Sequence, residues 1–314
     1  MSRPSDCRFI RYLDAKEAVD DRSLNRGVFE ALSRAVAGLA TPGPLRVLEA
    51  GCGAGAMLRR LLAWGLLRRA VYTAIDAQEE LIKAARQRLL SFVADADAAP
   101  THPGPLPLKY RDQEVSVELE AIDLFDFISR EQGRRTWDLL VAHAFLDLVD
   151  LPGALSQMFT LLRPGGLYYF TLNFDGATIF EPPLDQALDR LIEGLYHRTM
   201  DERLVQDKPS GDCRTGRRLF RELKVAGAKV LAAGSSDWVV FPREGDGMGG
   251  GDGGYPGDEA YFLHFILDTV HRALDAHPQL DAGRLNGWIE ARHAQVEAGQ
   301  LIYLAHQLDF FGYI

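Results

Sequence analysis

Apolar and polar residues recur along this chain with two periods, that of a strand and that of a helix, and the two kinds of segment take turns. Two helical patterns come first, at 8–20 and 23–39. Strand-length apolar runs then alternate with helical patterns, with strands at 45–50, 70–75, 137–144 and 166–172 and helices at 54–64, 78–94, 124–130 and 152–162. Residues 109–122 are typical of a hairpin or of one long strand. This succession predicts an α/β fold with helices on both faces of a mostly parallel sheet.

After residue 173 the alternation becomes less regular. We predict helices at 182–200, 214–226, 258–276 and 281–297, a sixth strand formed by 229–233 and 238–241, and a last strand at 301–311. The glycine density of 244–257 predicts a mobile loop. We therefore expect an N-terminal helical cap at 1–43 and a main α/β domain at 44–314, with a helical insertion at about 244–298.

The composition of the chain limits the kinds of partner that we expect it to bind. A net charge of −9 at pH 7 disfavours a nucleic-acid surface, because phosphate binding requires clustered Lys and Arg. No segment has the pattern of a membrane span or a signal peptide, so we expect a cytoplasmic protein without membrane contact. The three cysteines, Cys7, Cys52 and Cys213, are too widely spaced for a disulfide framework or a zinc site, and no metal is expected.

The first strand ends in a glycine turn preceded by an acid. Gly51, Gly53 and Gly55 follow the apolar run at 45–48, and a helical pattern begins directly after them. Glycines at such a turn let a ligand approach the backbone closely. Glu49 would oppose the pyrophosphate of a dinucleotide, whereas an ammonium or sulfonium group would be attracted to it. The turn thus favours a cationic ligand such as S-adenosylmethionine.

Acids also end the next two strands of the predicted sheet. Asp76 closes the second strand, where a carboxylate can accept hydrogen bonds from both hydroxyls of a ribose. Asp123 follows the third strand between apolar neighbours, where it can bind an adenine amino group. Each acid can also cap the helix that follows it. Since ligands of open α/β sheets bind at the carboxyl ends of the strands, these acids favour a nucleoside site there.

The chain resembles the class I, Rossmann-like S-adenosylmethionine-dependent methyltransferases of the small-molecule type. The resemblance is carried by the motifs at 47–55, 75–76, 122–124, 137–140 and 162–166, which occur in family order and cover about 44–175 strongly. It implies an open seven-stranded, mostly parallel sheet with strand order 3-2-1-4-5-7-6 and an antiparallel last strand, preceded by the N-terminal helices. The helical insertion then lies before the last strand.

The resemblance also assigns residues to the cofactor. Gly51, Gly53 and Gly55 would hold the methionine part, with Glu49 near its ammonium group. Asp76 with Ala77 would bind the ribose, and Asp123 with Leu124 the adenine. His143, at the end of the fourth strand, would border the cofactor as well.

The acceptor end is less defined by sequence. His143 is a candidate general base, with packing on the cofactor as the equal alternative, and Asn173 is a second catalytic candidate that a turn would explain equally well. Tyr12, Tyr255 and His264 are candidate substrate contacts. The motif common among amino-group methyltransferases of DNA and protein glutamine is replaced by Ala-His-Ala-Phe at 142–145, which disfavours those substrates.

We thus expect transfer of a methyl group from S-adenosylmethionine to an O, N or C nucleophile of a small molecule, releasing S-adenosylhomocysteine, with homodimer formation left open. An NAD(P)-dependent oxidoreductase is the alternative from the loose dinucleotide pattern of the glycines. The second alternative is a non-catalytic regulatory or assembly protein that binds the cofactor.

Overall fold

The computed structural model describes residues 9–39, 42–93, 104–205, 207–244 and 254–314. Cys7 and residues 245–253 of the glycine-rich stretch lie outside these ranges. The helices are α1 (Phe9–Ser23), α2 (Arg26–Ala37), α3 (Ala56–Ala63), α4 (Glu79–Phe92), α5 (Leu124–Glu131), α6 (Leu151–Phe159), α7 (Gln186–Asp201), α8 (Thr215–Val225), α9 (Glu259–Leu274) and α10 (Ala282–Glu297).

Most strands belong to one sheet. They are β1 (Leu45–Ala50), β2 (Arg69–Asp76), β3 (Leu106–Tyr110), β4 (Gln113–Ala121), β5 (Trp137–His143), β6 (Leu162–Glu181), β7 (Leu204–Val205), β8 (Lys208–Pro209), β9 (Lys229–Ser235), β10 (Trp238–Val240) and β11 (Ile302–Tyr313). The sheet order is β10-β11-β6-β5-β1-β2-β4-β3, β9 also pairs with β11, and β7 and β8 form a separate hairpin.

This order confirms the predicted class I methyltransferase fold. The five strands β4, β2, β1, β5 and β6 run parallel, and β11 pairs antiparallel with β6. The seven predicted strands become nine in the described sheet for two local reasons. Arg111, with φ 55°, turns β3 back onto β4, and the sixth strand breaks into β9 and β10 around Ser236 and Asp237.

Three groups of buried apolar side chains hold the helices in place. One fills the face covered by α2, α3 and α4, and a second fills the opposite face beneath α5, α6 and α8. The third joins α7, α9 and α10 to the far ends of β6 and β11. Because the helices cover both faces, the carboxyl ends of the parallel strands remain open for a ligand. Among the described helices, none combines the length and the apolar composition needed to cross a membrane.

Strand β6 is longer than the sequence pattern predicts. The apolar run ends at Leu172, yet the strand continues to Glu181, because β11 pairs with its second half as far as Ile302. The Asn-Phe-Asp-Gly stretch at 173–176 therefore lies within a strand, although Gly176 adopts a φ of 70°. This extension contributes side chains to the third apolar group and forms a wall beside the carboxyl ends of the parallel strands.

Close packing at Gly312 in β11 generates a stability prediction. A Cβ added there would overlap the carbonyl oxygen of Lys229 and the hydroxyl of Tyr168. We expect Gly312→Ala to lower the free energy of unfolding by about 2 kcal/mol or more, measured by urea denaturation. Gly194 on α7 has nothing within 4 Å of the added Cβ, so Gly194→Ala should raise it by about 0.5–1 kcal/mol. Equal effects of the two substitutions would contradict this assignment.

Candidate active site

The glycine turn after β1 has the backbone that the sequence predicts. Gly51, Gly53 and Gly55 have φ angles of 67°, 52° and 77°, which side chains with a Cβ rarely adopt. A Cβ at Gly51 would also overlap the ring of Phe145, whereas at Gly53 the nearest atom would be a Leu13 methyl at 3.7 Å. The turn thus leaves its backbone accessible beneath α1.

A single cavity of about 1210 Å³ extends from this turn across the strand ends. One end is lined by Gly51 and Gly53 together with the residues that follow β2 and β4. The other end is lined by aromatic and apolar side chains of α1, α7, α9, β6 and β11. Helix α1 packs against α9 through Tyr12, whose ring stacks on Phe265 with centroids 4.1 Å apart. The two helices together roof the strand ends.

The two predicted nucleoside acids both line the cavity, as do Ala77 and Leu124. The carboxylate of Asp76 accepts hydrogen bonds from the amides of Gly53, at 3.0 Å, and Gln78, at 2.9 Å. Asp123 caps α5 by accepting a hydrogen bond from the amide of Phe125 at 2.8 Å. Asp123 therefore does cap α5, and its carboxylate still lies at the surface of the cavity.

Glu49 is placed differently from the expectation. Its side chain is buried, does not line the cavity, and accepts a hydrogen bond from the hydroxyl of Tyr72 at 2.8 Å. Burial raises the pKa of Glu49 to about 8, so that the carboxyl is largely neutral at pH 7. Direct contact with a ligand ammonium group does not follow from this geometry. Gly55 also lies off the cavity, packed against Ala85.

A buried carboxylate that the sequence analysis missed lies at the centre of the cavity wall. Asp20 of α1 contacts the Lys16 ammonium at 2.5 Å, the Arg60 guanidinium at 3.5 Å and His143 Nε2 at 3.2 Å. It also accepts a hydrogen bond from the indole nitrogen of Trp238 at 3.0 Å. Although burial opposes ionisation, the Lys16 charge and the hydrogen bond with His143 hold the pKa of Asp20 well below its usual range.

His143 lines the cavity, but both ring nitrogens already have protein partners. Nε2 lies 3.1 Å from Arg60 and 3.2 Å from Asp20, and Nδ1 lies 2.8 Å from the hydroxyl of Thr171. Burial lowers the pKa of His143 to about 4, and the charges of Arg60 and Lys16 act in the same direction. Because both nitrogens are engaged, these contacts favour a structural role for His143 in ordering the groups around Asp20. They disfavour a role as a base that takes a proton from an acceptor.

Three other candidates lie away from the cavity lining. The Asn173 amide donates to the carbonyl of Leu308 at 2.8 Å, within the β6–β11 pair. The Tyr255 hydroxyl donates to the carbonyl of Leu301 at 2.7 Å, and His264 contacts His293 between α9 and α10, with Nδ1 atoms 2.7 Å apart. Of the predicted substrate contacts, Tyr12 alone lines the cavity.

Some cavity residues carry signals that sequence reasoning could have used. Lys16 and Asp20 have the i, i+4 spacing of an ion pair on a helix. Asp147 follows β5 closely, as Asp76 and Asp123 follow their own strands, and it lines the cavity. Arg60 offers no such signal, because only the tertiary fold brings α3 to α1.

The described residues contain one group with metal-ligand proximity. Ligand atoms of Asp201, Asp212 and Cys213 lie within 4.8 Å of one another. The carboxylates accept hydrogen bonds from the amides of Cys213 and Arg214, and Asp212 pairs with Arg218. Contacts within the protein thus account for the group, and it lines no part of the cavity.

The part of the chain that contains the glycine turn is similar in sequence to a known protein family. Residues 48–168, from the end of β1 into β6, match a protein family described as "Methyltransferase domain". The match includes the glycine turn and both nucleoside acids. Residues 48–168 thus belong to a class I S-adenosylmethionine-dependent methyltransferase domain. No curated protein matches it in sequence.

Solved structures similar to this methyltransferase are remote. A cyclopropane synthase of Mycobacterium tuberculosis is 10% identical, with 99% of this chain and 100% of that chain covered and a TM-score of 0.42. An S-adenosylmethionine-dependent methyltransferase of Methanosarcina mazei is 16% identical, with coverage of 89% and 96% and a TM-score of 0.41. Geranyl diphosphate methyltransferase in complex with S-adenosylmethionine is 14% identical, with coverage of 99% and 92% and a TM-score of 0.41. Likenesses at this level carry no argument about the acceptor.

The residues present fit S-adenosylmethionine, the methyl donor of this methyltransferase. Gly51 and Gly53 carry no side chain at the turn, and Asp76 and Asp123 present carboxylate oxygens along the same cavity. The Arg59 guanidinium also lines it and pairs with Glu17 at 2.5 Å, which brings a cation near the turn.

The shifted pKa values predict opposite pH effects for two substitutions in this methyltransferase. The folded pKa of His143 lies near 4, below its ordinary value of 6.5, so folding loses stability as pH falls through this window. The folded pKa of Glu49 lies near 8, above its ordinary 4.5, so folding loses stability as pH rises between these values.

We therefore expect the free energy of unfolding of His143→Gln to fall less than that of the wild type from pH 6.5 to 4. The free energy of unfolding of Glu49→Gln should fall less than that of the wild type from pH 4.5 to 8. Urea denaturation across this pH range measures both, and each variant is the control for the other. Parallel pH profiles for wild type and both variants would refute the two assignments.

Proposed function

We propose that this enzyme methylates a small molecule enclosed in the cavity, using S-adenosylmethionine as donor. The observation that carries the proposal is the continuity of the cavity from the glycine turn to an aromatic end beneath α1 and α9. Pockets for one drug-sized ligand measure about 300–1,000 Å³. At about 1210 Å³, the cavity is larger and suits a donor and an acceptor together.

The walls favour a small acceptor over a polymer. Both α1 and α9 cross above the strand ends, and their contact through Tyr12 and Phe265 leaves the aromatic end beneath a roof. A nucleic acid strand would also meet a chain of net charge −9. The predicted cytoplasmic location and the homodimer stay predictions.

Each part of the cavity then has a role. Asp76 would hold the ribose hydroxyls, in a carboxylate orientation fixed by the amides of Gly53 and Gln78. Asp123 and Leu124 would bind the adenine. Bound there, S-adenosylmethionine would supply an electrophilic methyl group, and the chain would contribute alignment of the acceptor, exclusion of water and a fixed electrostatic environment.

His143 and Asp20 act in this proposal as positioning residues. Their contacts with Arg60 and Trp238 hold α1 against α3, β5 and β10, which keeps the roof over both ligands. Asn173 has a corresponding structural part, since its amide joins β6 to β11. We therefore do not assign a proton-transfer role to either His143 or Asn173.

Labelled methyl transfer tests the proposed acceptor size. The enzyme is incubated with methyl-labelled S-adenosylmethionine and, separately, with low-molecular-weight cell extract, protein and nucleic acid. We expect label in the low-molecular-weight fraction alone. Label in protein or nucleic acid alone would contradict the enclosed-acceptor proposal.

Asp76 tests the cofactor assignment. We expect Asp76→Ala to weaken binding of S-adenosylhomocysteine at least about tenfold in calorimetry, because charged hydrogen bonds to ribose are lost. Asp126→Ala is the matched control, since Asp126 is an exposed acid lining the same cavity end. Unchanged affinity in Asp76→Ala would refute the ribose assignment, and tight binding of NADH without S-adenosylhomocysteine binding would refute the donor site.

A further inference from the structure

Asp147 is a cavity residue for which neither the fold nor the cofactor provides a use. It lies in the short turn of 3₁₀ helix at Leu146–Leu148, directly beyond β5. Its Oδ1 atom is buried and has no hydrogen-bond partner among the described residues. Burial raises the pKa of the Asp147 carboxyl, against the opposing charges of Arg203 and Lys16. Since an unpaired buried carboxyl oxygen is costly, Asp147 has the capacity to accept a hydrogen bond from a ligand in the cavity.

Aromatic rings surround the end of the cavity in which Asp147 lies. Burial raises the pKa values of the Tyr12 and Tyr196 hydroxyls. The negative charge of Asp147 adds to the effect in both, and the charge of Arg203 opposes it at Tyr196, which indicates that these side chains lie near one another. The rings of Phe174, Trp238, Phe265 and Tyr303 also line the cavity, together with those of Tyr12 and Tyr196. Aromatic faces attract alkylammonium groups and offer little to an anion.

The charge of the cavity also favours a cationic acceptor over an anionic one. Eight acidic and three basic residues line it, and His143 is uncharged at pH 7. Two of the cations are already engaged, Lys16 by Asp20 and Arg59 by Glu17. The third, Arg203, lines the cavity without forming an ion pair with a described residue, although its charge acts on Asp147 against the effect of burial. An anionic acceptor would enter a field of its own sign, whereas a cation would be attracted.

We propose that the acceptor is an aliphatic amine that enters as an ammonium ion, with Asp147 as its anchoring carboxylate within the aromatic end. This inference rests on the proposed function, because it concerns the acceptor of the same site. The Asp147 carboxylate holds the ammonium group by a charge-assisted hydrogen bond. The surrounding rings contact its alkyl substituents.

The transfer balances without a further reagent. Asp147 takes a proton from the ammonium nitrogen and frees its lone pair. The nitrogen–carbon bond to the methyl group forms as the carbon–sulfur bond breaks, and that electron pair stays on sulfur. The proton on Asp147 then passes to solvent. A buried carboxyl with a raised pKa suits this step, since it accepts a proton more readily than an exposed one.

Three probes of one shape test the charge preference. Choline carries a quaternary ammonium group, 3,3-dimethylbutan-1-ol is its neutral carbon isostere, and 3,3-dimethylbutanoate is an anion of similar size. Calorimetry measures their binding to the whole enzyme saturated with S-adenosylhomocysteine. Choline has no N–H to donate, so it tests the ionic and cation–π contacts alone, and we expect it to bind at least about tenfold more tightly than the alcohol, with the anion weaker still. Equal affinities, preference for the anion, or no binding of choline would overturn the proposal.

Two pairs of variants assign the preference to Asp147. Asp147→Asn should remove most of the preference for choline, whereas Asp147→Glu, which keeps the charge, should retain it. Asp150→Asn is the matched control, because Asp150 is an exposed acid on the same cavity wall, and its choline affinity should stay within about twofold. Arg203→Gln should not weaken choline binding. An unchanged preference in Asp147→Asn would overturn the assignment.

Binding of S-adenosylhomocysteine separates failure of this inference from failure of the proposed function. All variants should retain it, which also shows that they are folded. If the wild type binds S-adenosylhomocysteine but shows no cation preference, the amine acceptor is wrong and the methyl-donor site stands. If it binds no S-adenosylhomocysteine, the proposed function fails.

Discussion

The buried carboxylate of Asp20 connects the roof of the active site to the sheet. It contacts side chains from four different elements, Lys16 of α1 itself, Arg60 of α3, His143 of β5 and Trp238 of β10. Burying these charges carries a desolvation cost, which their mutual contacts offset only when every partner is present. The cluster therefore helps to hold α1 over the strand ends, together with the packing of Tyr12 on Phe265 of α9.

The cluster also divides the cavity by chemical character. On one side lie the glycine turn, Asp76 and Asp123, a polar wall built from the ends of neighbouring parallel strands. On the other side lie aromatic rings, with Asp147 as a carboxyl whose Oδ1 lacks a described partner. In the proposed function, a methyl group passes from donor to acceptor across this boundary. Its fixed charges belong to the protein, so they require no rearrangement of solvent during transfer.

Local features of the sequence predicted the fold and the donor site. The glycine turn, Asp76 and Asp123 each follow an apolar strand, and parallel strands bring their carboxyl ends together whatever the details of packing. Strand order followed from the family resemblance, and the hairpin at β3–β4 was one of two alternatives that the pattern allowed. The continuation of β6 was missed because pairing with a distant strand, β11, decides it.

Side-chain direction and long-range partners were beyond the sequence. Glu49 occupies the expected strand end, but its side chain meets Tyr72 and lies away from the cavity. His143 does reach the cavity, yet Arg60 and Asp20 come from helices whose approach no local pattern encodes. Asp147 illustrates the same limit, since its significance lies in the burial of one oxygen and in rings contributed by several distant elements.

The central claim is that donor and acceptor share one cavity beneath α1. A crystal structure of the enzyme with S-adenosylhomocysteine tests it most directly. We predict the ribose hydroxyls on Asp76, the amino acid part at Gly51 and Gly53, an intact Asp20 cluster, and free space beside Asp147 at the aromatic end. S-adenosylhomocysteine bound outside this cavity, or filling the aromatic end, would contradict it.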